Sequence, residues 1–264
     1  MSCLLAVATS IATACVHSRS EPVQPYIGQP GKDVVWIPTP PELVEKMLDL
    51  ANVTPEDFVV DLGSGDGRNV IGAAKRGARG LGVEYNPDLV ELSRRNAAAA
   101  GVADHAIFVQ GDMFASDFSE ATVLALFLTP DHLIRLEAKF LALKPGSRIV
   151  SNTFGIRGWT PDRIERIGEG CQVWCTALLW IVPAQVAGMW RLPQGELTLD
   201  QNYQMVSGTL TSSAQTTALT GKLVGDELTL TGEGRQYVGR VSGATIQVTA
   251  QSGGSEVWTQ VRTE

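Results

Sequence analysis

The chain has 264 residues, enough for one or two domains. Its 21 Lys and Arg face 28 Asp and Glu, a net charge of −7, which speaks against nucleic-acid binding because that affinity rests on neutralising phosphates. Hydrophobic residues make up 44% and charged residues 19%, which excludes a disordered chain; four cysteines exclude a disulfide scaffold, and no apolar run reaches the ~18 residues of a membrane span.

Met1 to Val16 (MSCLLAVATSIATACV) is apolar and uncharged. Leu4 to Ala14 has the length of a secretory apolar region, and Ala12-Thr13-Ala14-Cys15 resembles a loose bacterial lipobox, but no positively charged segment precedes it. Two readings stand: an exported chain (periplasmic, or lipid-anchored at Cys15), or a cytoplasmic protein with an unprocessed tail. Residues 17–34 are rich in Pro, Gly and polar residues and read as a linker. Composition changes again near Pro183–Gly188. The expected organisation is therefore a signal-like segment and linker over 1–32, an α/β domain over 33–184 and a β domain over 185–264.

In the α/β part, Leu43, Met47 and Leu50 recur at helical spacing and predict an amphipathic helix over Pro41–Ala51. A short buried strand follows at Phe58–Leu62, a helix at Arg68–Arg76, a strand at Gly80–Glu84 and a helix at Pro87–Ala100, with Pro at its start and Gly101 past its end. Strands are expected at Ala106–Gln110, Thr122–Phe127 and Arg148–Phe154, with a helix over Asp131–Ala142 between the last two. Strands alternating with helices of this length imply βαβ units and a mostly parallel sheet. Ala177–Val182 reads as a later, antiparallel addition.

Asp61-Leu62-Gly63-Ser64-Gly65-Asp66-Gly67-Arg68 leaves a strand and opens a helix. The glycines permit a sharp turn and close approach to a ligand, and the helix start offers free N–H groups to a carboxylate or phosphate. The glycines run G-x-G-x-G, whereas a dinucleotide site needs G-x-G-x-x-G; position 68 is Arg. Glu84 ends the next strand, where a carboxylate accepts from a ribose diol. Asp112 follows the third strand and suits an adenine amine. A glycine turn alone is an ordinary βα connection; three acids at the ends of successive strands make it a nucleotide site.

These residues resemble the class I S-adenosylmethionine-dependent methyltransferases over about residues 33–184. Trp36-Ile37-Pro38-Thr39-Pro40, DLGSGDGRNV and GVEYNPDLV are more narrowly similar to the small lysine methyltransferases that modify the c ring protein of mitochondrial ATP synthase and the adenine nucleotide translocase, and to their bacterial relatives. The resemblance implies a Rossmann-like sheet and S-adenosylmethionine as cofactor. It places Asp61 and Gly63 near the methionine end, Ser64 among the cofactor-binding residues, Gly65 and Gly67 at the loop's approach to the cofactor, Glu84 at the ribose and Asp112 at the adenine. Thr39 is expected in a segment closing over the methionine end. The implied acceptor is a protein lysine, with small molecules open as alternatives.

No catalytic base is evident. Residues 128–131 read Leu-Thr-Pro-Asp where amino-methylating enzymes of nucleic acids and glutamine carry Asn/Asp-Pro-Pro-Tyr/Phe, which argues against those acceptors. Thr129 and Asn152 are the candidates at the strand ends, with Asp131 and His132 beside them; their plainer readings are helix capping for Thr129 and Asp131, an exposed first-turn residue for His132 and a strand-end polar residue for Asn152. Cys171 and Cys175 have the wrong spacing for a redox or zinc motif, and no metal site is expected; they are bonded if the chain is exported and buried thiols otherwise.

The C-terminal part repeats an apolar-x-Gly-x-apolar pattern with period-two alternation. It predicts six to eight short antiparallel strands in a meander or barrel-like fold, serving stability, dimerisation or ligand recognition. The competing reading of the whole is a non-catalytic envelope protein that binds S-adenosylmethionine or another ligand on a methyltransferase scaffold.

Overall fold

The computed structural model describes residues 25–32, 35–168, 171–250 and 255–261. The signal-like segment, including Cys15, lies outside the described residues.

The first part runs α1 (Pro41–Leu50), β1 (Phe58–Leu62), α2 (Arg68–Lys75), β2 (Arg79–Glu84), α3 (Pro87–Ala99), β3 (Ala106–Gln110), β4 (Val123–Leu126), α4 (Pro130–Leu141), β5 (Arg148–Asn152), β6 (Arg163–Arg166) and β7 (Thr176–Ile181). These seven strands form one sheet in the order β3-β2-β1-β4-β5-β7-β6. All pairs among the first five strands are parallel, and β7 joins antiparallel to β5 and β6. The central strands are apolar throughout because both faces are covered. On one face Val59, Val123 and Val150 pack with Leu43 and Met47 of α1. On the other, Val60, Leu124 and Ile149 pack with Leu133, Leu136 and Phe140 of α4. Between β1 and β4 the strand order reverses, which leaves a crevice at their carboxyl ends.

Two elements differ from expectation. The strand expected over 148–154 stops at Asn152: Thr153 takes φ +59°, and the Phe154 N–H donates to the Asn152 carbonyl at 2.6 Å. Nor does Arg-Ile-Glu-Arg at 163–166 show the alternation of a half-buried strand. It is an edge strand, and its charges protect the open edge.

The second part is a closed barrel of eight antiparallel strands: β8 (Gly188–Leu192), β9 (Gly195–Asn202), β10 (Met205–Ser212), β11 (Thr216–Val224), β12 (Glu227–Gly232), β13 (Arg235–Ser242), β14 (Thr245–Ala250) and β15 (Ser255–Gln260). Alternate residues point inward, so Leu197, Leu199, Leu219, Leu228, Leu230 and Ile246 fill the interior around Trp190 and Trp258. Trp190 satisfies its indole N–H on the Val186 carbonyl at 2.8 Å. Closure needs close strand approach: a Cβ on Gly221 would lie 1.8 Å from the Thr229 carbonyl oxygen. The outer mouth opens on a cavity of about 570 Å³ whose lining includes Gln215, Arg235, Tyr237 and Glu256.

The barrel is seated on the sheet domain by its β9–β10 turn. The Tyr203 ring stacks on Trp159, 5.2 Å between centroids and 6° from parallel, and its hydroxyl donates to Glu137 of α4 at 2.7 Å. Gln204 donates to the Thr160 carbonyl at 2.7 Å, and Lys222 of β11 pairs at 2.7 Å with Asp162, whose side chain is 6% exposed. Tyr203→Ala is expected to lower unfolding free energy by about 2 kcal/mol through loss of the stack and the hydroxyl bond, and Tyr203→Phe by about 1 kcal/mol through the bond alone. Chemical denaturation of the three proteins checks this; equal stabilities would contradict the interface.

Candidate active site

The crevice at the carboxyl ends of β1, β2, β3 and β4 is a narrow cleft of about 90 Å³, on the measure that gives the barrel cavity about 570 Å³. Its floor is the glycine loop between β1 and α2. Gly63, Gly65 and Gly67 take φ values of +78°, +55° and +85°, conformations that side chains disfavour. At Gly65 space is the second reason: a Cβ there would come within 2.6 Å of the Trp36 indole nitrogen. Trp36 and Thr39 belong to the segment before α1, which lines the opposite side of the cleft.

Most of the sequence-expected residues come together here. Thr39, Asp61, Gly63, Ser64, Gly65, Glu84 and Asp112 all line the cleft. Gly67 does not; a Cβ there would run into Phe108 and Ser93, so its place is the packing of loop against β3 and α3. Glu84 closes the loop, accepting from the Gly65 N–H at 2.9 Å and, through its other oxygen, from the Asn86 N–H at 2.9 Å. Each carboxylate oxygen keeps a further lone pair for a ligand. Asp112 accepts from Lys32 at 2.6 Å and from the Phe114 N–H at 2.9 Å; these two bonds hold its carboxyl below the usual range. Arg68 pairs with Asp66 at 2.5 Å and donates to the Thr39 carbonyl, tying the glycine loop to the opposite wall.

Asp61 is 2% exposed. One of its oxygens accepts from Asn69 of α2 at 3.0 Å, and the other has no partner among the described residues. Burial pushes its carboxyl up to about 8; Asn69 opposes the shift, and the Glu84 and Asp66 carboxylates add to it. Ser64 Oγ and Asn69 Oδ1 are also buried and unpartnered among the described residues. Such a cluster of unmet acceptors is the mark of a polar ligand site rather than of a finished core. Among the described residues no three His, Cys, Asp or Glu side chains are grouped to hold a metal ion.

At the end of β4 the cleft is bounded by Phe127 and Leu128; the expected candidates Thr129 and Asn152 lie beside it and do not line it. Asn152 is fully buried and donates to Thr39 Oγ1 at 3.3 Å, with its own oxygen unpartnered among the described residues. Thr129 stands at the N-cap of α4, but its hydroxyl bonds the His132 ring rather than a helix N–H. His132 is buried, not exposed as expected, because its ring stacks on Phe114 at 5.8 Å. Asp131 is an exposed first-turn residue of α4, 3.5 Å from Arg157. Sequence reasoning also missed an aromatic wall. Phe127, after β4, lines the cleft and packs with Phe154 at 6.1 Å and Trp174 at 5.4 Å. These three rings are far apart in sequence and meet only through the β4-β5-β7 order. Asn69 was missed too; its one signal was a polar residue just inside a helix that leaves a ligand loop.

Comparison with known proteins agrees with this geometry. The family described as the ANTKMT methyltransferase domain matches residues 61–163. A protein-lysine N-methyltransferase of Saccharolobus islandicus is 41% identical over 140 residues, which cover 52% of this chain and 87% of that protein. The adenine nucleotide translocase lysine N-methyltransferase of Mus musculus is 35% identical over 153 residues, 57% of this chain; the chain thus spans only 61% of that relative's length. A solved structure described as an RNA methyltransferase from Salinibacter ruber, in complex with S-adenosyl-L-homocysteine, is 46% identical with a TM-score of 0.53, covering 57% of this chain and 96% of that one.

A carboxyl raised to about 8 binds a proton in the folded chain that the unfolded chain, near 3.8, has already released. Its contribution to stability is full below the unfolded value and is lost as pH rises through the folded one. Asp61→Asn is therefore expected to raise the melting temperature of the free protein by several degrees at pH 7.5, at ~2–4 °C per kcal/mol, and by less at pH 5. Differential scanning calorimetry checks it; a variant that melts lower at both pH values would contradict the buried, protonated carboxyl.

Proposed function

The chain belongs to the S-adenosylmethionine-dependent methyltransferases of the ANTKMT type, and from that premise we propose that it methylates the side-chain amine of a protein lysine. The cofactor supplies an already activated methyl on a sulfonium, so what remains for the protein is binding, orientation and exclusion of water. The residues of the cleft fit such a group. Its α-ammonium suits the unpartnered Asp61 oxygen and its ribose hydroxyls the free lone pairs of Glu84, with Asp112 for the adenine amine. Gly63, Ser64 and Gly65 supply the close backbone approach, and Thr39 closes the methionine end.

The observation that carries the lysine reading is the aromatic wall of Phe127, Phe154 and Trp174 beside the cofactor cleft. A lysine ammonium has a pKa of ~10.4, and removing its proton at pH 7 takes about 4–5 kcal/mol. Exclusion of water by an apolar lining disfavours the charged amine and reduces that figure, by more than the rings' attraction for the cation opposes it. An acceptor nitrogen held there in its neutral form, its proton having passed to solvent, would receive the methyl that the bound cofactor supplies. The names of the archaeal and mouse relatives support the same kind of acceptor. The Salinibacter structure's description raises RNA as the second reading. The net charge of −7 weighs against it.

The enzyme reading is also supported over that of a non-catalytic binder by the intact loop, Glu84 and Asp112. The Cys171–Cys175 bond supports an oxidising compartment, and so the exported reading; fractionation of cells expressing the natural gene tests that. Incubation of the purified protein with methyl-labelled cofactor and a methylation-deficient extract tests the acceptor. Label is expected in protein, on lysine after hydrolysis; label confined to RNA would overturn the proposal.

A further inference from the structure

The five residues Cys171-Gln172-Val173-Trp174-Cys175 form a loop closed by a disulfide, just before β7. Trp174 within it takes φ +60°, a left-handed conformation that a bulky side chain adopts only when its surroundings impose it. The bond and the burial of Cys175 impose it here. The result is directional. Val173 points outward and is 64% exposed, while the Trp174 ring is turned in, 5.4 Å from Phe127 and 5.3 Å from Phe154. All three rings are half-buried, unlike the neighbouring Trp159, which is 2% exposed and belongs to the core. Their wall is continuous with the cofactor cleft, because Phe127 lines both.

We propose that Trp174 is a specificity-determining residue for the acceptor: its ring holds the alkyl chain and ammonium of the incoming side chain against Phe127 and Phe154, and the Cys171–Cys175 bond is the positioning device that keeps it there. This rests on the methyltransferase reading with an alkylamine acceptor. The chemistry is that of a cation-bearing aliphatic chain, whose methylenes pack on ring faces and whose charge is drawn to the ring quadrupoles. Opening the bond frees the backbone at Trp174 to leave its left-handed conformation. Reduction by a dithiol, which takes the disulfide to two thiols with two electrons and two protons, therefore weakens acceptor binding and leaves the cofactor half of the cleft untouched.

The test needs no identified acceptor. The probe is an S-adenosylhomocysteine analogue whose sulfur is replaced by nitrogen bearing a four-carbon primary amine arm, compared by calorimetry with S-adenosylhomocysteine itself. In wild type the arm is expected to tighten binding about tenfold or more, the scale of a cation–aromatic contact with apolar burial. Trp174→Ala loses that gain without changing S-adenosylhomocysteine affinity, and Trp174→Phe keeps most of it. Dithiothreitol, or Cys171→Ser with Cys175→Ser, reduces the gain in wild type and has no further effect in Trp174→Ala. An arm that adds nothing in wild type, or a gain that survives in Trp174→Ala, overturns the proposal. A wild type that binds neither ligand refutes the methyltransferase reading itself, a separate outcome.

Discussion

A carboxyl group buried at the end of the central strand is the constraint around which the sheet domain is organised. Asp61 sits where β1 gives way to the glycine loop, with β4 on one side and β2 on the other. Burial there raises its pKa to about 8, and only one of its oxygens has a partner among the described residues, Asn69. A core built for stability alone would not keep such a group, since an unmet buried acceptor costs about 1–3 kcal/mol. Its neighbours share the same incompleteness: Ser64 and Asn69 each hold a polar atom without a partner among the described residues. These unpartnered atoms gather where a cofactor's ammonium and hydroxyl groups would have most to offer. The glycine loop, Glu84 and the Arg68 tie to Thr39 keep this arrangement in place.

The cleft has two chemically different halves. Over β1, β2 and β3 it is acidic and hydrogen-bonding. Past the end of β4 it meets, through Phe127, an aromatic cluster completed by Phe154 and Trp174, and Asn152 donates to Thr39 beside it. That division suits a reaction in which one partner arrives charged and polar and the other reacts best after losing its charge. The barrel holds the segment that follows the aromatic cluster. Its Tyr203, Gln204 and Lys222 grip Trp159, Thr160 and Asp162, the stretch that follows Phe154 and leads into β6.

The sequence was informative where the chemistry is local. Asp61, Ser64 and Gly65 lie within one strand–loop–helix unit, and Glu84 and Asp112 fall at predicted strand ends, so their convergence followed from βαβ geometry. Gly67 shared the motif but serves packing against Phe108, a distinction set by a residue of another strand. His132 was expected in solvent because only its helical position was visible, not the Phe114 ring that covers it. The aromatic wall was hidden for the same reason: Phe127, Phe154 and Trp174 lie on three separate segments brought together by strand order. In the barrel, alternation announced the strands, but closure depends on the pairing of β8 with β15, a contact between the two ends of the domain that no local pattern records.

The most direct test of this account is the proton balance of cofactor binding. Calorimetric titration of S-adenosylhomocysteine near pH 7, in two buffers of different ionisation enthalpy, measures it. If its ammonium docks on a carboxyl that is protonated in the free protein, wild type releases about one proton on binding. The Asp61→Asn variant releases none and binds more weakly. Tight binding by wild type with no proton exchanged, or the same release from Asp61→Asn, would contradict the role given to Asp61.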